Sequence, residues 1–171
     1  YLPIKKEVIR RKNIEVHYLG YYVKWHPQDA YYYCIDNTNF KSSPERTAGT
    51  YSKYNSIDDK IDDFHFYSYF IKFGIGRATY DAAQEIRNND ILRDEGVSLV
   101  KKYDGEFPER FSKEIFDYLS INEDEFPDIY NKFEHPEMNY DYFMKIADSF
   151  RSPHIWKYTN NKWVLRRKVW E

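Results

Sequence analysis

Four cations and two carboxylates have the types and spacing to do chemistry. Lys72 and Arg77 bracket the run Lys72-Phe73-Gly74-Ile75-Gly76-Arg77, which leads into a polar stretch that reads as helix. Glycines ahead of a helix are a common device for holding phosphate, because free backbone N–H groups and the helix dipole both favour an anion. Asp81 and Glu85 follow at i, i+4 and share a helix face. Such a pair can bind a metal or work as acid and base. Arg46 and Lys53 lie in Pro-Glu-Arg-Thr-Ala-Gly-Thr-Tyr-Ser-Lys-Tyr, residues 44–54, among Thr47, Thr50 and Ser52. Side chains of these kinds suit phosphate oxygens.

Each group also has a structural reading. Phosphate loops of the dinucleotide and mononucleotide kinds follow a strand, whereas a helix is expected before Gly74. The alternative is a helix C-cap and a tight corner, with Arg77 capping or pairing. Asp81 and Glu85 can equally pair with an arginine or hydrogen-bond a substrate. The 44–54 loop can be a solvated surface loop. The histidines His17, His26, His65, His135 and His154 show no ligand spacing, so no metal site is expected. Cys34, the single cysteine, reads as a buried structural thiol.

The elements that must position these residues are mostly helical. A basic piece over 1–12 is helix-capable, and Pro3 suits a first helical position. Val and Tyr in residues 15–23 favour a strand, kinked at Gly20. Pro27 opens a short helix ending near Asn37, and residues 39–56 form a long polar loop. Ser56 is expected to cap a central helix carrying Ile57, Ile61, Phe64 and Ile71 on one face, ended by Gly74. Further helices follow over 78–87, 90–104 with Asp90 as cap, 108–119, 122–133 with an Asn122/Glu125 capping box, and 139–150. The period then changes to alternation around Asn160-Asn161, which predicts a β-hairpin within 154–170. The expected class is mainly α: a multi-helix body with a short N-terminal strand and a C-terminal β-hairpin. The expected divisions are an arm over 1–55, a helical body over 56–153 and a hairpin tail over 154–171.

Composition narrows the function. The formal net charge of -2 provides no field for nucleic acid, and no apolar run approaches a membrane span. Neither a nucleic-acid nor a membrane partner is expected. A single cysteine suits a reducing compartment, and a cytoplasmic location is expected. Aromatics reach 20% of residues, led by tyrosine, which brings apolar area with a polar tip.

Several blocks in order carry a resemblance: HYLGYYVKWHPQDAYYYC, SSPERTAGTYSKYNSIDDKIDDFH, KFGIGRATYDAAQEIRNN, LVKKYDGEFP and FRSPHIW. Together they resemble the C-terminal portion of the N-acetyl sugar amidotransferases, PP-loop enzymes of bacterial lipopolysaccharide and surface-polysaccharide biosynthesis. The likeness runs from about Val16 to the end of the chain. It implies an N-terminal PP-loop domain holding ATP with Mg, absent from this sequence, and a glutaminase subunit that supplies ammonia. It also implies a nucleotide-linked N-acetyl sugar whose acetamido oxygen is activated as an adenylate before ammonia displaces AMP and leaves an acetamidino group. No Ser-Gly-Gly-x-Asp-Ser loop and no paired cysteines occur here, so the chain is expected to be inactive alone and to bind no ATP by itself. Charge and placement within the matching blocks nominate Arg46, Lys53, Lys72, Arg77, Asp81 and Glu85 as substrate- or phosphate-binding. The competing reading is a non-catalytic helical module that docks the glutaminase.

Overall fold

The computed structural model describes residues 3–120 and 137–171, so the expected Asn122/Glu125 capping box lies outside the described residues. The chain forms two compact units, Tyr1–Phe40 and Lys41–Glu171.

The first unit holds three helices: α1 (Lys6–Arg11), α2 (Leu19–Tyr22) and α3 (Pro27–Asn37). Pro27 opens α3 as expected, and the N-cap is His26, whose Nδ1 accepts from the Asp29 N–H at 3.2 Å. Thr38 closes the helix by donating its hydroxyl to the Cys34 carbonyl at 2.6 Å. The strand expected over 15–23 is not there; α2 occupies its second half. A strand needs a ladder partner, and the only ladder among the described residues joins the two strands of the C-terminal hairpin. Tyr18, Tyr21, Tyr22 and Trp25 are exposed, so the β-favouring side chains have no sheet to pack on.

The second unit holds α4 (Asp62–Phe73), α5 (Arg77–Asn88), α6 (Arg93–Tyr103), α7 (Ser112–Leu119), α8 (Tyr140–Ser149), β1 (Trp156–Thr159) and β2 (Lys162–Leu165). The central helix α4 begins later than its sequence periodicity implies. Ser56 has φ 53, and Asp59 turns the chain by accepting the Ile61 N–H at 2.9 Å. Asp62 and Asp63 then fill the first turn, where negative charge is favourable. Asp90 does not cap α6, whose N-cap is Leu92. Its N–H bonds the Glu85 carbonyl at 2.9 Å and closes the end of α5 beside Asn89 at φ 66.

Aromatic packing builds the core. Phe64, 3% exposed, meets the rings of Phe107, Phe116 and Phe143 edge-on at 5.4–5.7 Å. Ile71 is buried on the same face of α4, whereas Ile57 and Phe73 are exposed. The hairpin forms as predicted: β1 and β2 pair antiparallel with Trp156 opposite Leu165. Asn160 and Asn161 take φ 50 and 56 at its turn. Trp156 pins it to α4 by donating its indole N–H to the Ile71 carbonyl at 2.7 Å.

Candidate functional site

The corner between α4 and α5 shows what the two glycines are for. Gly74 ends α4 at φ 72, and a Cβ there would stand 2.5 Å from Ile155 Cγ2. Its missing side chain admits both the left-handed turn and the hairpin. Gly76 has an extended backbone, and a Cβ there would run into the Asp104 carboxylate. Asp104 sits directly on the N-terminus of α5. It accepts the Gly76 N–H at 3.1 Å, the Thr79 N–H at 3.1 Å and the Thr79 hydroxyl at 2.5 Å. A helix N-terminus attracts an anion, and here that anion is a carboxylate of the same chain.

A second polar network ties the 44–54 loop to this corner. The Arg46 guanidinium donates twice to Glu106, at 2.6 and 2.5 Å, and once to the Thr50 carbonyl at 3.1 Å. It also lies over the Tyr103 ring. Glu106 accepts the Gly49 N–H at 2.9 Å. Thr50 is fully buried and donates its hydroxyl to Asp81 at 2.6 Å. Arg77 reaches Asp81 at 3.1 Å and stacks over Phe66 at 4.3 Å. Tyr51 donates to Glu85 at 2.8 Å. The loop is therefore held by a row of side chains on α5 and by the Asp104-Gly105-Glu106 turn.

The electrostatics follow from burial and pairing. Burial pushes the Asp81, Glu85 and Asp104 carboxyls above their ordinary values. Hydrogen bonds from Thr50 and Arg77, from Tyr51, and from Thr79 oppose that rise. The Tyr51 hydroxyl is pushed up by its burial and by Glu85. Glu106 goes the other way: its hydrogen bonds from Arg46 hold it below the usual glutamate range.

Of the six nominated residues, the structure brings Arg77 and Asp81 together and places Arg46, Asp81 and Glu85 along one loop. Lys53 stands on that loop's outer side and donates to the Pro44 carbonyl at 3.0 Å. Lys72 is apart from them, exposed beside a cavity of about 220 Å³ lined by Ile71, Phe143, Ile146 and Phe150. As placed, these residues do not fit a nucleotide triphosphate. Arg46 and Arg77 each face a carboxylate, and Asp104 covers the α5 N-terminus. Among the described residues no group of three His, Cys, Asp or Glu is placed to hold a metal ion.

Open space lies on the loop's other side. A cavity of about 690 Å³ is bordered by Arg46, Lys53, Glu106 and Arg110. A neighbouring one of about 390 Å³ is bordered by Ser42, Ser43, Lys60 and Phe111. Asp63 and Arg110 line both. Asp63 is 8% exposed, and the Arg110 charge and the Ala48 backbone favour its ionised form, yet burial still raises its carboxyl. A buried carboxyl with a raised pKa in a cleft is a functional-site signal. The sequence reading missed Asp63, Arg110, Asp104 and Glu106. Doubled acids at 58–59 and 62–63 were visible, but they carry no mark separating a helix-start charge from a cleft-facing one.

Among the described residues, no helix is long and apolar enough to cross a membrane. The family described as LPS biosynthesis protein WbpG-like, C-terminal domain, matches residues 48–169. That span covers α4 to the hairpin and most of the tethered loop. A search of curated proteins gave no match.

Proposed function

The chain belongs to the family of WbpG-like lipopolysaccharide-biosynthesis proteins, as their C-terminal domain, and from that premise we propose that it is the substrate-side portion of an ATP-dependent amidotransferase. The reaction converts the acetamido group of a nucleotide-linked sugar to acetamidino, with ammonia from a glutaminase subunit. A PP-loop domain on the N-terminal side holds ATP and Mg, and the enzyme works in the cytoplasm. What supports the reading is a coincidence of sequence and shape. The loop block SSPERTAGTYSKYNSIDDKIDDFH and the end of LVKKYDGEFP, which resemble sugar amidotransferases, supply most of the walls of the cleft around Asp63 and Arg110. In this account Arg46 and Lys53 border the ligand, while Arg77, Asp81 and Glu85 hold the loop in place.

A second reading has its own observation. The apolar cavity between α4 and α8, with Lys72 at its edge and Phe150 58% exposed, suits a domain that only docks the glutaminase. The two separate when the nitrogen source is changed in the complete protein. Arg110→Gln should raise KM for the nucleotide sugar several-fold with either glutamine or ammonium salt. A variant impaired with glutamine and normal with ammonium would support docking and overturn the substrate-side assignment.

A further inference from the structure

We propose that Asp63 is a ligand-contacting carboxyl, and that the cleft around it takes the N-acetyl sugar ring of the substrate rather than its phosphates. The inference rests on the amidotransferase reading for its choice of sugar; the cleft and its chemistry come from the structure. Three observations carry it.

The first is charge. Three cations of the cleft are answered by carboxylates: Arg46 by Glu106, Arg110 by Glu45 at 3.6 Å, and Lys60 by Glu114 at 2.6 Å, while Lys41 lines the smaller cavity without such a partner among the described residues. Lys53 turns to a backbone carbonyl. A diphosphate carries at least two negative charges and needs surplus positive field. Here Asp58, Asp59 and Asp63 add negative charge to the same walls, and the acidic side chains lining the cleft are at least as many as the basic ones, which leaves no surplus positive field for a polyanion.

The second is hydrogen-bonding capacity. Sugars present neutral hydroxyls and an amide N–H, and they are recognised by groups that accept as well as donate. Carboxylates accept from hydroxyls, and the guanidinium of Arg110 donates to ring or carbonyl oxygens. Phe111, stacked under Arg110 at 4.7 Å, gives the cleft an apolar side.

The third is placement. Asp63 is the buried carboxyl common to both cavities, carried on the first turn of α4. The group belongs to a helix rather than to the loop. A ligand filling either cavity meets it.

The test is a solution titration of the chain 1–171, followed by amide chemical shifts. The probes are N-acetylglucosamine and uridine diphosphate, each added separately to millimolar levels. N-acetylglucosamine should move the resonances of residues 45–48, 58–63 and 107–111, and uridine diphosphate should move them less. Asp63→Asn, which keeps the side chain's shape and removes its charge, should weaken the sugar response at least tenfold, and Arg110→Gln should weaken it several-fold. Sugar-induced shifts elsewhere, a stronger response to the diphosphate at these residues, or an unchanged Asp63→Asn would overturn the proposal. If Asp63→Asn does not fold, the map on the wild-type chain still decides. Amidine formation by the complete protein is scored separately. Amidine product without sugar binding at the cleft removes this inference alone, and sugar binding without amidine removes the reaction and leaves the cleft.

Discussion

Replacing Asp104 by alanine tests whether the Gly-Ile-Gly corner is closed by the protein itself. The substitution strips the α5 N-terminus of its acceptor and leaves the Gly76 and Thr79 N–H groups and the Thr79 hydroxyl without partners. Loss of a helix N-cap costs about 0.5–2 kcal/mol. Each donor left buried and unsatisfied adds about 1–3 kcal/mol, reduced where water can enter. Against this, burial already penalises the ionised Asp104, so removing it returns part of that penalty. The net expectation is a loss of about 2–3 kcal/mol, equivalent to roughly 5–10 °C in Tm for a chain of this length. Urea titration read by near-UV circular dichroism measures it. Asp104→Asn, which keeps an acceptor, should lose about half as much. The vacated N-terminus should then bind inorganic phosphate, so phosphate should restore stability to Asp104→Ala and leave the wild type unchanged. A loss below about 0.5 kcal/mol, with no phosphate effect, would show that the carboxylate does not close the helix.

Phe64→Ala should cost about 3–5 kcal/mol by denaturant titration, because its ring is buried among three others; a loss under about 0.5 kcal/mol would misplace the core. Arg77→Ala should destabilise by about 2–4 kcal/mol by leaving Asp81 buried and unpaired, and Arg77→Ala with Asp81→Asn should recover much of it. Equal losses in the single and double variants would remove the pair as the cause. Glu106, held below its ordinary value of 4.5, stabilises the fold above that pH and loses this contribution as pH falls through its folded pKa. The stability gap between wild type and Glu106→Gln, about 1 kcal/mol at pH 7 after allowance for the pair's partial exposure, should therefore shrink towards pH 3. A gap that widens in acid would reverse the assignment.

What could be read from sequence was what local geometry dictates. Asn160-Asn161 at a change of period signals the hairpin because two successive positive φ values are needed there. Pro27 and Gly74 mark helix ends for equally local reasons. The failures came from partners far along the chain. Val and Tyr at 16–23 have strand propensity, but propensity cannot supply a neighbouring strand. The α5 cap comes from Asp104, beyond an entire intervening helix, and Arg46 finds Glu106 across 60 residues. For the site, the sequence marked the loop and the cations that border or brace the cleft. It did not distinguish cations bound to carboxylates from those facing open space, because that depends on tertiary pairing. Asp63 was hidden for the same reason: on a helix wheel it is an ordinary first-turn acid.

The central claim is a division of labour, with this domain on the substrate side and ATP chemistry elsewhere. The direct measurement runs the complete protein and the chain 1–171 in parallel with ATP, Mg, a nucleotide-linked N-acetyl sugar and nitrogen-15 ammonium. Mass spectrometry then detects labelled acetamidino sugar and AMP. Ammonium bypasses the glutaminase, so its absence explains no negative result. The account predicts labelled amidine and AMP from the complete protein and neither from 1–171; amidine from 1–171 alone, or none from the complete protein, would contradict it.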